Sequence, residues 1–215
     1  MDHTITNLLR IKEEINLKDS HNTKIIAVTK TFPADKILSL LKFGHVDFGE
    51  NKVQEATLKW SKIKDDYKDI KLHMIGKLQT NKVKHAVKIF DYIHSVDNLK
   101  LAEKISQEQK KIDKNIKLFI QVNIGSEDQK NGINLKDAKN FLNICVKELQ
   151  LDIIGLMCIP PNDNKEEKYF TEMFNLKNQL SLNELSMGMS NDYLLAIKYG
   201  STYVRIGSKI FGPRD

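Results

Sequence analysis

Eight short apolar runs, each followed by a stretch of helical spacing, constrain this chain more than any other feature. The runs fall at 24–29, 45–48, 70–75, 90–95, 117–123, 151–157, 183–186 and 202–206. Several are apolar on both faces, as in Ile25-Ile26-Ala27-Val28 and Leu118-Phe119-Ile120-Gln121-Val122. A strand with one wet face alternates polar and apolar residues; a strand with none belongs to a parallel sheet covered by helices. Helical stretches lie near 34–43, 51–66, 79–88, 98–111, 135–148, 164–180 and 191–199. A last turn falls at 208–212, and a helix at 4–16 precedes the first strand. Strict alternation predicts an α/β fold, a (β/α)8 TIM barrel with an extra N-terminal helix. At 215 residues the chain is near the lower size limit for that barrel, so an open doubly wound sheet is the alternative.

Local chemistry marks several boundaries. Pro33 suits the first turn of a helix. Gly44 and Gly200 stand where a left-handed C-terminal cap is expected. Asp97 reads as an N-cap for the helix over 98–111. No Pro/Gly/Ser-rich linker, internal repeat or low-complexity segment divides the chain, so it reads as one domain over 1–215.

Barrel enzymes place their chemistry at the C-terminal ends of the strands. Here those ends present Lys30, then Gly49-Glu50-Asn51, His73-Met74-Ile75-Gly76, Ser95, Asn123, Met157, Ser186 and Arg205. Lys30 closes the run Lys24-Ile25-Ile26-Ala27-Val28-Thr29-Lys30. A lysine on a rigid strand end among Ile, Val and Phe is either simply solvated or partly desolvated. In the second case its ammonium is disfavoured and its neutral amine can form a Schiff base with an aldehyde. The loops Leu185-Ser186-Met187-Gly188-Met189-Ser190 and Arg205-Ile206-Gly207-Ser208 both feed helix N-termini with small residues. In barrels these two loops are the usual phosphate site.

Arginine at 205 is informative because the chain holds only 3 Arg among 34 basic residues. Amine, phosphate cradle and guanidinium together fit pyridoxal 5′-phosphate (PLP). The aldehyde would join Lys30, and the phosphate would sit on Ser186, Ser190, Gly207 and Ser208. Arg205 would face the pyridine nitrogen. Arginine only donates hydrogen bonds, so it would leave that nitrogen unprotonated and the ring a weak electron sink. Asn51 is placed near the ring hydroxyl. Met157 and Gly188 complete the expected cofactor-binding set of Lys30, Asn51, Met157, Ser186, Gly188, Ser190, Arg205, Gly207 and Ser208.

The net charge of +6 raises the question of nucleic acid, but the lysines are interleaved with Asp and Glu along nearly every helix. There is no basic tail and no arginine-rich block, so no nucleic-acid partner is expected. Apolar runs are far too short to span a bilayer, and the Met-Asp-His start leads into a charged amphipathic stretch rather than a signal peptide. Cys145 and Cys158 lie in apolar stretches without metal-ligand spacing and read as buried thiols of a cytoplasmic protein. His3, His21, His45, His85 and His94 share no ligand spacing and read as surface or capping groups. His73 is either a core histidine or a group in the barrel mouth. Lys77, Lys82 and Lys84 form a solvated helix face or hold a second phosphate.

These segments resemble a known family, the pyridoxal phosphate homeostasis proteins, single-domain relatives of the alanine racemase N-terminal barrel. The resemblance is carried by Ala27-Val28-Thr29-Lys30, Phe48-Gly49-Glu50-Asn51-Lys52-Val53-Gln54-Glu55, and His73-Met74-Ile75-Gly76-Lys77-Leu78-Gln79-Thr80-Asn81-Lys82. Further matches are Ser95-Val96-Asp97, Gln121-Val122-Asn123, Gly155-Leu156-Met157, Leu185-Ser186-Met187-Gly188-Met189-Ser190 and Val204-Arg205-Ile206-Gly207-Ser208. It implies that Lys30 carries PLP as an internal aldimine. It also implies a monomer or weak dimer that stores or delivers the cofactor, with PLP-dependent apo-enzymes as recipients and without robust enzymatic activity. Lys77 stands where the family often has histidine.

Two enzyme readings compete. A weak amino-acid racemase would need a second base opposite Lys30, and the tyrosines (67, 92, 169, 193, 199 and 203) lie mostly in or beside helices. A Schiff-base aldolase would use the lysine and the phosphate loops but leave Arg205 idle.

Overall fold

The computed structural model describes residues 2–18, 23–127 and 131–213; His21 and Arg214 lie outside the described residues. The eight strands are β1 Lys24–Val28, β2 Asp47–Glu50, β3 Lys71–Met74, β4 Tyr92–Val96, β5 Lys117–Val122, β6 Ile153–Cys158, β7 Glu184–Met189 and β8 Tyr203–Ile206. They pair in chain order, all parallel, and β8 returns to β1 through Lys24 opposite Tyr203 and Ala27 opposite Ile206. The sheet is therefore a closed barrel, and the open-sheet alternative falls.

The helices are α1 His3–Asn16, α2 Ala34–Lys42, α3 Val53–Asp66, α4 Val83–Ile89, α5 Leu99–Lys110, α6 Ala138–Asn143, α7 Glu166–Gln179, α8 Tyr193–Lys198 and α9 Ser208–Phe211. The extra helix α1 buries Leu8, Ile11 and Ile15, spaced to share one face. Asn7 fixes it to α9 by donating from Nδ2 to the Ile210 carbonyl, 3.1 Å away.

Gly44 and Gly200 carry the expected left-handed backbone, with φ of 86° and 79°. Three boundaries differ from expectation. Asn98, not Asp97, caps α5: its side chain accepts from Leu101 N–H, while Asp97 accepts from the Asn98 amide. Pro33 is the N-cap residue of α2 itself, in extended backbone. The single helix expected over 135–148 breaks into a 3₁₀ turn, α6 and a π-helical Ile144–Glu148. There one extra residue shifts the hydrogen-bond ladder.

Two hydrophobic groupings follow from the closed sheet. The larger lies between strands and helices and includes Phe48, Trp60, Phe90 and Phe170. The smaller consists of Ile26, Tyr92, Phe119, Met157 and Tyr203, which point into the barrel. Side chains alternate across a strand, so residues two apart share the inner face. Tyr203 and Arg205 thus stack along β8, and Tyr92 and His94 along β4. Parallel strands run toward the functional end of a barrel, so Arg205 and His94 are the upper members of these pairs.

Candidate active site at the C-terminal mouth of the barrel

Lys30 lies two residues beyond β1, half-buried, and its backbone is held from both sides. Before it, the Thr29 carbonyl accepts from Lys59 Nζ at 2.8 Å, and Thr29 Oγ1 donates to Glu50 Oε1 at 2.7 Å. After it, Thr31 adopts φ of 68°, a region that a β-branched residue rarely enters. The Thr31 N–H donates to Glu55 Oε1 at 2.6 Å, which holds that conformation in place. Glu50 is fully buried, and its Oε1 also accepts from Lys59 Nζ at 2.8 Å and Trp60 Nε1 at 3.0 Å. The segment Phe-Gly-Glu-Asn-x-x-Gln-Glu therefore supplies two carboxylates that brace the strand end carrying Lys30. Their positions were visible in the sequence; their roles were not.

Lys30, Asn51, Ser190, Arg205, Gly207 and Ser208 all line one cleft of about 420 Å³ at the C-terminal ends of the strands. Its walls are partly apolar, from Val28, Ile75, Ile159, Pro160 and Pro161. Asp192 is an acidic neighbour, but its Oδ1 accepts from the Met189 N–H at 2.6 Å and so ties down the loop after β7. Among the residues lining the cleft there is no tyrosine. Tyr92 and Tyr203, which stand in strands rather than beside helices, fill the lower barrel instead.

Arg205 is only 4% exposed, and its acceptors are all neutral. Nη1 donates to the Ser186 carbonyl at 2.7 Å and to Ser186 Oγ at 2.9 Å; Nη2 donates to the Cys158 carbonyl at 2.9 Å. Burial lowers its pKa, yet a guanidinium keeps its proton in a protein. The result is a rigid buried cation at the floor of the cleft.

Three expected site residues lie below the cleft rather than on its surface. Ser186 is fully buried, and its hydroxyl is engaged by Arg205 and by His94 Nδ1 at 2.9 Å. Met157 is fully buried among the inner-barrel aromatics. Gly188, with φ of 90°, packs where an added Cβ would stand 2.6 Å from Ala196 Cβ, so it allows β7 to close on α8. These three shape the site from beneath.

The expected surface histidines divide. His45 is buried and donates from Nε2 to the Asp47 carbonyl, 2.9 Å away, while His94 is fully buried inside the barrel. His73 is a core histidine, also fully buried. Single histidines in apolar strands carry no periodic signal. The inward register of β3 and β4 was the clue available.

Burial pushes both thiols up to about 12, at Cys145 in the π-helical segment and at Cys158 at the end of β6. Among the described residues no helix is long and apolar enough to cross a membrane.

The sequence profile of the alanine racemase N-terminal domain matches residues 1–215. A pyridoxal phosphate homeostasis protein of Vibrio alginolyticus is 34% identical over 221 residues, covering 98% of this chain and 95% of that protein. Another from Haemophilus influenzae is 36% identical over 230 residues, covering 97% and 94%. Among solved structures, PipY of Synechococcus elongatus without PLP superposes with a TM-score of 0.87 at 34% identity, covering 96% of this chain and 99% of that one. PipY with PLP bound gives 0.85 at 33%, covering 97% and 100%. An alanine racemase of Clostridium difficile shares the fold, with a TM-score of 0.76 at 14% identity, and this chain spans 57% of its length.

Proposed function

The chain belongs to the pyridoxal phosphate homeostasis proteins, built on the alanine racemase N-terminal barrel, and from that premise we propose that it binds PLP in the cleft and holds or delivers it. The carrying observation is that an amine, Lys30, and a buried guanidinium, Arg205, share one cleft with Ser190, Gly207 and Ser208. The donor set fits the group: a nucleophilic nitrogen for an aldehyde, and hydroxyls and helix-start amides for a phosphate dianion. PLP, when bound, supplies an aldehyde carbon open to amines and a ring able to draw electrons from an attached carbon.

The residues divide the work. Lys30 attaches the cofactor, and Glu55 and Lys59 keep its backbone still. Ser190, Gly207 and Ser208 hold the phosphate, with Gly188 and Ser186 shaping the loop and floor beneath them. Asn51 holds the ring hydroxyl, and Met157 supports the barrel interior below. Arg205 faces the ring nitrogen and offers only donors, so it keeps that nitrogen unprotonated. No tyrosine lines the cleft to act as a base opposite Lys30, and of its two carboxylates, Glu166 and Asp192, the latter is tied to the Met189 N–H, which argues for a carrier over an amino-acid racemase. An aldolase would leave the buried cation without a task. The protein works in the cytoplasm, as a monomer or weak dimer, and gives PLP to apo-enzymes.

Borohydride reduction of PLP-loaded protein followed by peptide mass spectrometry tests the assignment. The expected result is one modified peptide, at Lys30, and loss of both modification and visible absorbance in Lys30→Ala with the circular dichroism unchanged. Modification persisting in Lys30→Ala would overturn it.

A further inference from the structure

The interior of a small barrel is normally filled by branched apolar side chains. This one contains a continuous row of five polar groups from five strand positions. Asp47 on β2 lies 3.0 Å from His73 Nε2 on β3. His73 Nδ1 lies 2.9 Å from His94 Nε2 on β4, and His94 Nδ1 lies 2.9 Å from Ser186 Oγ on β7. Ser186 Oγ lies 2.9 Å from Arg205 Nη1 on β8. The two histidines and the serine are fully buried, and the imidazoles are clamped face to face: His73 on Tyr92 with centroids 4.3 Å apart, His94 on Phe119 at 4.1 Å.

The protons in this row follow by elimination. Arg205 can only donate, so Ser186 Oγ accepts from it. At the other end, burial raises the Asp47 carboxyl, but the net shift is downward, led by the hydrogen bond from His73 with the Lys71 charge adding to it. Asp47 is thus an anion that can only accept. Burial lowers both imidazoles, with Asp47 and Asp91 opposing it at His73 and the Arg205 charge adding to it at His94. Both rings are neutral and carry one proton each. His73 must place its proton on Nε2 to meet Asp47, leaving Nδ1 to accept. His94 then carries its proton on Nε2, and its bare Nδ1 accepts the Ser186 hydroxyl. The opposite order would set a bare His73 nitrogen against a carboxylate and leave Ser186 O–H without an acceptor. Every donor between Arg205 and Asp47 therefore points the same way.

We infer that Asp47, His73, His94 and Ser186 are positioning residues for Arg205, a one-directional hydrogen-bond chain that fixes the guanidinium at the cleft floor from a carboxylate in the lower barrel. Each bond polarises the next, so the anion at one end strengthens the hold on the cation at the other. The row has no vacancy for an extra proton, and Arg205 cannot turn without taking the donor away from the buried Ser186 oxygen. Its bearing on PLP rests on the function proposed above; the chain itself is present without PLP and can be tested without it.

The first test is ¹⁵N-edited imidazole NMR of the PLP-free protein. Both rings should be neutral with the proton on Nε2, and Ser186→Ala should perturb the His94 Nδ1 signal. A proton on Nδ1 of either ring, or an imidazolium at neutral pH, overturns the proposal. The second test follows PLP release and the pH profile of the visible band in Asp47→Asn, Ser186→Ala and Ser186→Thr. A charged acceptor holds about twice as strongly as a neutral one, so Asp47→Asn should speed release on the order of fivefold. Ser186→Ala should do so at least as much and move the pH profile, while Ser186→Thr, which keeps the hydroxyl, restores the parent behaviour. Release rates and profiles within twofold of the parent in both Asp47→Asn and Ser186→Ala overturn the positioning role. If borohydride still fixes PLP to Lys30→Ala, the proposed function fails instead, and the NMR result stands apart from it.

Discussion

Acid should unfold this protein earlier than its carboxylates alone require, and His45 provides a measurable share of that effect. Its imidazole is 8% exposed. Burial lowers its pKa to about 4, with the nearby Lys12 also disfavouring the cation; the Asp47 charge and the carbonyls of Asp47 and Ile25 oppose this only in part. In the unfolded chain the ring returns to about 6.5. Between those values the unfolded state holds a proton that the folded state refuses, so falling pH favours unfolding. The contribution is intact above the unfolded value and is lost as pH falls toward the folded one. Linkage gives about 2 kcal/mol lost between pH 7 and pH 5, and about 3 kcal/mol by pH 4. The buried His73 and His94 add losses of the same sign, so the parent alone does not isolate the effect. His45→Gln does, since it keeps a donor for the Asp47 carbonyl and cannot titrate. Urea unfolding of both proteins at pH 7, 6 and 5 should show the variant losing about 2 kcal/mol less over that span. Equal losses, within about 0.5 kcal/mol, would show that His45 takes up no proton on unfolding over this span.

Glu50→Gln removes the buried partner of Lys59 and should cost about 3 kcal/mol, a fall in Tm of roughly 6–12 °C by calorimetry; a parent-like Tm counts against the brace. Thr31→Gly relieves the left-handed strain at φ of 68°. It should leave stability equal to the parent's or up to about 1 kcal/mol higher, while PLP release quickens because Lys30 is less firmly held. Slower or unchanged release would show that the strain does not serve the lysine. Gly188→Ala forces a Cβ to 2.6 Å from Ala196 Cβ, and should destabilise by about 2 kcal/mol or more with weaker PLP retention. Equal chemical-denaturation midpoints would remove Gly188 from the account.

The barrel was legible because two-sided apolar strands and amphipathic helices differ in period, and that difference survives small errors of boundary. It failed where the local signal was mixed. The strand expected at 45–48 runs over Asp47–Glu50, since His45 and Val46 look as strand-like as the residues that pair. The strand expected at 183–186 continues to Met189, because Ser, Gly and Met read as a loop. In the site, Lys30 and Arg205 announced themselves by residue type and position. Ser186 was read for its hydroxyl and its loop, yet its inward register delivers that hydroxyl to Arg205. Asp47, His73 and His94 were hidden because their meaning lies in contacts across four strands, which no single stretch of sequence displays.

The two cysteines give the molecule built-in sentinels. A thiol held near pKa 12 is a poor nucleophile, so alkylation at neutral pH waits for opening. Both thiols lie in the core between strands and helices, Cys145 in the π-helical segment and Cys158 at the end of β6, where its own carbonyl anchors Arg205. Labelling rates at the two positions, compared with and without PLP, would separate fraying of the outer shell from opening of the barrel mouth within one unmodified chain.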